Sequence, residues 1–181
     1  MTYTTYFGVE HLDKISTASV IALDTETCQL QPEIGKLRLL QLGAESTKSI
    51  VVIDMFDCDE EANHKLELFF KNGDRHWFAH NAVFDLAWLQ EYGFTPYGRF
   101  YCTMLASKLL NNGIPNLKHG LAHLAKRYLD KDISKEQQAS DWSAPVLSKE
   151  QLEYAAKDVE TLLELDVILP GRIAAAGLDP A

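Results

Sequence analysis

The chain has 181 residues, 46% hydrophobic and 24% charged, which suits one globular domain with a proper core and excludes a disordered chain. Seventeen Lys and Arg against 26 acids give a formal charge of −9, so the overall field argues against holding nucleic acid, unless clustered acids bind divalent cations; two such ions would bring −9 to −5. Apolar runs such as SVIALD and SIVVID fall far short of the ~20 residues of a membrane span, and the start MTYTTYFGVE lacks a secretory signal pattern, so an intracellular, cytoplasmic protein without a membrane partner is expected. Cys28, Cys58 and Cys102 contain no C-x-x-C pair, which suggests neither a disulfide framework nor a zinc ribbon.

Three apolar runs close together, Val20 to Asp24, Lys36 to Gly43 and Ser49 to Asp54, predict an antiparallel meander, because parallel neighbours need long crossovers. Asp59 to Lys71 carries Leu66, Phe69 and Phe70 at helical spacing and ends at Asn72 and Gly73. Strands and helices then alternate: His76 to Ala79 as a short buried strand, Val83 to Tyr92 as a helix ended by Gly93, Arg99 to Cys102 as a strand, and Met104 to Leu110 as a helix. Asn116 reads as the N-cap of a helix over Leu117 to Leu129, with Leu117, Leu121, Leu124, Ala125 and Tyr128 on one face. Asp130 to Ala144 has no clear period and reads as a loop or weak helix. Ser148 with Gln151 forms a capping box, opening a helix to about Leu169, where Pro170 and Gly171 are expected to end it. The tail GRIAAAGLDPA begins like a further helix and stops abruptly.

The carboxylates stand out against this frame. Asp24 and Glu26 fall just past the first apolar strand, and in strand geometry i and i+2 project to one side. Two hard oxygen donors at a sheet edge suit Mg²⁺ or Mn²⁺, although a solvated turn explains a bare D-x-E equally well. Asp85 lies among Phe84, Leu86, Trp88 and Leu89, where an acid is costly unless solvated, capped or paired with a cation; an exposed acid near a helix N-terminus is the plainer alternative. Tyr154 and Asp158 are four apart on one helix face and either share a hydrogen bond or place a water-orienting group beside a metal ligand.

In that order and spacing, LDTETCQL, AHNAVFDLAWL and EQLEYAAKDVETL resemble the three motifs of the DEDD-type 3′-to-5′ exonucleases, in the subgroup with tyrosine in the third motif. The histidine subgroup has His five residues before the last acid, where this chain has Glu153. The resemblance covers about Val20 to Leu165 and divides within the family. TMLASKLL and YAAKDVETLLEL look like the proofreading domain of family A DNA polymerases, while SDWSAPVLSKEQLEYAAKD also looks like ribonuclease D. In the polymerase reading, LPGRIAAAGL resembles the junction to a polymerase domain, which sets the expected domains at 1–169 for the exonuclease and 170–181 for a C-terminal tail.

The resemblance implies an α/β, ribonuclease-H-like fold: a central mixed five-stranded sheet flanked by helices. It implies two divalent cations, Mg²⁺ or Mn²⁺, with Asp24, Glu26 and Asp158 on the first, and Asp24 with Asp85 on the second. By the same resemblance Tyr154 orients the attacking water, and nucleoside 5′-monophosphates leave from a 3′ end. Leu30 matches an apolar residue that wedges against terminal bases, Thr27 and Asn81 match positions near the terminal nucleotide, and Thr25 is a further candidate contact. Phe84 either stacks on a base or belongs to the core, and the core alternative applies to Leu30 as well.

Lys118, Lys126, Arg127 and Lys157 are candidates to meet phosphates or are solvated surface; His80 is a neighbour of the site or merely buried. His119 and His123 are an i, i+4 pair without the Glu of H-E-x-x-H. Cys102 replaces an acid common in the family before TML. The expected activity is DNA proofreading-type exonuclease on a single-stranded 3′ end, with a DNA polymerase domain or subunit as possible partner. A ribonuclease D-like exoribonuclease is the alternative, and a binding module without chemistry a third reading, against which the five retained residues Asp24, Glu26, Asp85, Tyr154 and Asp158 speak.

Overall fold

The computed structural model describes residues 2–134 and 136–178. A six-stranded mixed sheet runs through the molecule in the order β1-β4-β3-β2-β5-β6. Its strands are β1 (Thr4–Phe7), β2 (Val20–Thr27), β3 (Leu37–Ala44), β4 (Ser49–Asp54), β5 (His76–Ala79) and β6 (Arg99–Cys102). As the apolar runs predict, β2, β3 and β4 form an antiparallel meander, and β5 and β6 add in parallel beside β2. The expected five strands become six, because β1 pairs in parallel with β4 at the sheet edge. Its TTYF lacks an apolar run, and both its ends, Thr4 and Phe7, are exposed.

Helices cover both faces. One face packs against a 3₁₀ helix over Val9–Ile15, α1 (Glu60–Phe70) and α2 (Val83–Glu91), around Ile21, Leu23, Leu40, Leu42, Trp77 and Trp88. On the other, α5 (Lys149–Ala175) lies over Ala22, Leu39, Ile50 and Val52 through Ala155, Val159, Leu162 and Leu163. A helix with many buried positions on successive turns follows from the apolar spacing of that segment. Its start is the expected capping box: the Gln151 N–H donates to Ser148 Oγ at 3.2 Å, and the Ser148 N–H donates to Gln151 Oε1 at 2.9 Å. Likewise Asp59 caps α1, its carboxylate accepting from the Ala62 N–H at 2.8 Å.

Three expectations are corrected. β2 does not end at Asp24 but continues to Thr27, so Asp24 and Glu26 stand on the strand, with a register shift only between Glu26 and Thr27. The helix expected from Asn116 begins instead at α4 (Leu121–Leu124), capped by Gly120, and widens into π turns over Ala125–Leu129. Asn116 follows a proline and takes φ 60, a left-handed conformation an N-cap does not adopt, so Leu117 to Gly120 stay outside the helix. Finally, α5 passes through Pro170 to Ala175. A proline removes one intrahelical bond, but buried Leu169 and Ile173 on either side keep the face anchored, and the Arg172 guanidinium lies 5.3 Å from the Tyr128 ring. The expected tail thus begins inside the helix, and its last residues, 179–181, lie outside the described residues. The three remaining elements match closely: α1, α2 and α3 (Thr103–Leu110). No described helix is long and apolar enough to cross a membrane, and the three cysteines are free.

Candidate active site

The period of two on β2 decides the site. Asp24 and Glu26 project to the α5 side, where one oxygen from each and one from Asp158 lie within 4.8 Å of one another. Thr25 projects to the opposite side, and its hydroxyl donates to Asp85 Oδ1 of α2 at 2.7 Å. Asp85 is buried and stands outside the trio, yet close enough to raise both Asp24 and Glu26. One turn before Asp158 on α5, Tyr154 donates its phenol hydrogen to the Asp158 carboxylate. The four acids therefore come from β2, from α2 under one face of the sheet, and from α5 over the other.

All four carboxyls hold their protons more tightly than free acids do. Burial pushes Asp24 well up, and repulsion from Asp85, Asp158 and Glu26 adds to it. Burial, then Asp158 and Asp85, carries Glu26 to about 9. Asp85 rises to about 7 through burial, opposed by the Thr25 hydroxyl, and Asp158 to about 6 through burial, opposed by the Tyr154 hydroxyl. Burial and the Asp158 charge push the Tyr154 phenol up in turn, so it is a hydrogen-bond donor rather than a base. No lysine or arginine among the described residues counts among the influences on any of the four. A set of carboxylate oxygens is the hard donor set of Mg²⁺ or Mn²⁺.

This has a measurable consequence. Because the folded carboxyls have raised pKa values, the folded state takes up protons more readily than the unfolded chain, and that stabilisation is complete below about pH 4 and lost as pH rises through about 6, 7 and 9. The cation-free protein should therefore lose Tm from pH 5 to pH 9, and the Tm increment from millimolar Mg²⁺ should grow over the same interval. A flat increment, read by calorimetry with and without EDTA, would contradict the electrostatic account.

The acids form the floor of a cavity of about 380 Å³ that Thr25, Thr27, Leu30, Asn81, Phe84 and Tyr154 also line. Leu30 is 81% exposed, which removes the core alternative for it. Phe84 keeps both roles open to it, since it lines the cavity and packs edge-on against Trp88 with ring centroids 6.4 Å apart. The Thr27 hydroxyl donates to the Gln29 carbonyl at 2.6 Å, shaping the turn that presents Leu30. Asn81 links β5 to α2 with φ 57, and neighbouring His80 also lines the cavity. Burial holds the His80 imidazole down to about 4, so it is neutral.

One wall is missing from the sequence reading. The segment without a clear period contributes Ile133, Ser134, Gln138 and Trp142 to the cavity. It is a strap fastened at several points. Buried Arg38 pairs with Asp54 at 2.8 Å and donates to the carbonyls of Ala144 and Pro145. The Gln151 amide donates to the Asp141 carbonyl at 3.1 Å, and the Cys28 thiol to the Trp142 carbonyl at 3.6 Å. Trp142 is thereby set beside Tyr154, ring centroids 6.4 Å apart. A buried tryptophan inside a polar stretch was the available signal for this wall.

The basic candidates lie differently. Lys126 pairs with Asp130 and Asp132, Lys157 with Glu160, and Arg127 donates to Ser107 Oγ and to the Lys118 carbonyl. His119 Nδ1 is 3.0 Å from the same Ser107 hydroxyl.

The family described as 3′-5′ exonuclease matches residues 3–173. DNA polymerase I of Aquifex aeolicus is 37% identical over 155 residues, 85% of this chain but 24% of that protein, so the chain spans about a quarter of this curated relative. Among solved structures, Brucella melitensis NrnC bound to pGG has a TM-score of 0.81 at 32% identity, covering 98% of this chain and 85% of that one, and the same protein with bound Mg²⁺ gives 0.80. Escherichia coli RNase D, an exoribonuclease involved in structured RNA processing, has a TM-score of 0.82 at 25% identity, covering 99% of this chain and 47% of that chain. A match running from residue 3 to residue 173, on a fold that gathers the acids of all three motifs at one cavity, makes this chain a member of the 3′-5′ exonuclease family and an enzyme of its DEDD type.

Proposed function

We propose that the chain is a divalent-cation-dependent exonuclease that removes nucleoside 5′-monophosphates one at a time from the 3′ end of short single-stranded nucleic acid, with RNA ends preferred. The observation that carries the reading is the trio of Asp24, Glu26 and Asp158 oxygens within 4.8 Å, at the floor of a cavity whose mouth carries Leu30. Asp24, Glu26 and Asp158 would hold one cation, and Asp24 with Asp85 a second. When bound, the two cations lower the pKa of a water and stabilise the attacking and leaving oxygens of an in-line displacement at phosphorus. The water oxygen bonds to phosphorus, the bond from phosphorus to the 3′ oxygen of the penultimate nucleotide breaks, and that oxygen takes a proton. Tyr154, one turn before Asp158 on α5 and bonded to its carboxylate, would orient the attacking water from that position. Thr25 holds Asp85, while Thr27, Asn81, Leu30 and Phe84 line the space for the terminal nucleotide, whose base Phe84 and Leu30 meet through their apolar surfaces.

The RNA preference is supported by the likeness to Escherichia coli RNase D, an exoribonuclease, at 25% identity over 99% of this chain, and the short substrate by NrnC bound to pGG, a likeness that covers 85% of that chain. Identity of 37% to DNA polymerase I favours a second reading, proofreading-type cleavage of DNA with a polymerase domain or subunit as partner. One assay separates them: matched 5′-labelled single-stranded RNA and DNA, and pGG, in Mg²⁺ or Mn²⁺ with EDTA controls. A metal-dependent ladder from the 3′ end that is faster on RNA and on pGG is the expected result. Faster shortening of DNA would transfer the assignment to the second reading, and no cleavage of any of the three would overturn the proposal.

A further inference from the structure

Along β3 the residues alternate between the two faces of the sheet, and Leu39, Gln41 and Gly43 fall on the α5 face, as the Gly43 position shows by closing directly onto Val159 and Leu163. Gln41 is fully buried there, and among the described residues neither its Oε1 nor its Nε2 has a hydrogen-bond partner. A buried amide with both ends unsatisfied is a rare and costly arrangement, and leucine or methionine would fill the same space without the cost. Its neighbours in register identify what it serves. On β4 it faces Val52, which offers nothing polar, and on β2 it faces Asp24. Directly opposed residues of an antiparallel pair have Cβ atoms ~4.5–5.5 Å apart, a span a glutamine side chain covers. Glu26, two pairs further along β2 on the same face, faces Leu39 instead, and Asp54 beyond Val52 is taken by Arg38.

We propose that Gln41 is a positioning residue for the cation site: its Nε2–H donates to the Asp24 carboxylate and fixes which oxygen Asp24 turns toward the cation. The inference rests on the reading of Asp24 as a ligand given above. A carboxylate is acceptor-only when ionised and has more lone pairs than a cation uses, so an amide N–H is the matching neutral partner, adding no charge that would compete with the cation. Unpaired in the fold described here, the amide would turn to Asp24, the polar residue opposite it in register, once that carboxylate holds a cation.

The test uses Gln41→Leu and Gln41→Met in the full chain, with Mn²⁺ titrated calorimetrically in the absence of substrate and Tm recorded in EDTA. Both variants should keep or raise the EDTA Tm, since an unsatisfied amide is gone, while Mn²⁺ affinity falls about tenfold or more, the usual cost of losing a partner behind a ligand. Wild-type Mn²⁺ affinity in a folded variant would overturn the proposal. So would a fall in affinity that only accompanies a lowered EDTA Tm in both variants, because that marks a packing role. Failure of the unmutated protein to bind Mn²⁺ would instead remove the cation-site reading itself, and the inference with it.

Discussion

Asp24→Ala should lower exonuclease turnover by ~10³-fold or more while leaving the fold intact and more stable without cations. The size follows from what the residue is assigned to do. Asp24 is the acid placed to serve both cations, bound metal contributes several kcal/mol of charge stabilisation to such a displacement, and each 1.36 kcal/mol is a factor of ten. Its carboxyl is the one pushed up by burial and by all three other acids, so removing it relieves repulsion in the cation-free protein. Above pH 7 the EDTA Tm of the variant should exceed that of the unmutated chain, and the Mg²⁺-dependent Tm increment should vanish. Retention of cleavage within about tenfold of the original rate, measured under single-turnover conditions, would mean that Asp24 does not hold the cations.

Gly43→Val addresses the other requirement, that α5 lie close to the sheet. A Cβ at Gly43 would stand 2.5 Å from Val159 Cγ1 and 3.1 Å from Leu163 Cδ1, both on fully buried side chains of α5. Overpacking of this kind costs about 3 kcal/mol or more, which for a domain of this length lowers Tm by roughly 6–12 °C. Val159 follows Asp158 directly, so pushing the helix outward also moves Asp158 and Tyr154 away from Asp24 and Glu26. Weaker Mn²⁺ binding should accompany the lost stability, and Gly43→Ala should show both effects in smaller measure. A Tm within about 2 °C of the parent, less than a 1 kcal/mol change produces, would show that the helix tolerates the displacement.

Much of the site was readable because its chemistry rides on regular periods. Asp24 and Glu26 alternate on a strand, Tyr154 and Asp158 are one helical turn apart, and the capping box of Ser148 and Gln151 marks where that helix starts. The misreadings fall where tertiary packing overrides a local signal. β1 has no apolar run because the neighbouring β4 supplies its pairing, and the apolar pattern of an interior strand is not required at an edge. Pro170 looks like a stop, yet Leu169 and Ile173 are held in the core on both sides of it. Asn116 and Gly120 are both acceptable helix caps, and only the left-handed backbone at Asn116 decides between them. The wall carrying Gln138 and Trp142 has no period because its shape is imposed from outside, by Arg38, Cys28 and Gln151, each distant from it or on another element.

Those fastenings share a property that bears on how such a cavity diversifies. Arg38 reaches the carbonyls of Ala144 and Pro145, Gln151 that of Asp141, and Cys28 that of Trp142. Every one of these acceptors belongs to the main chain, which all amino acids carry alike. These bonds grip the strap without regard to its own side chains; buried Trp142, Ser140 bonded to Gln151, and Lys131 paired with Glu164 add side-chain anchors elsewhere along it, while Ile133 and Gln138, which face the cavity, take part in none of these contacts. Floor and wall consequently obey different rules: acids tied to one another by charge cannot be exchanged singly, while the facing surface is an interchangeable lining on a fixed mount.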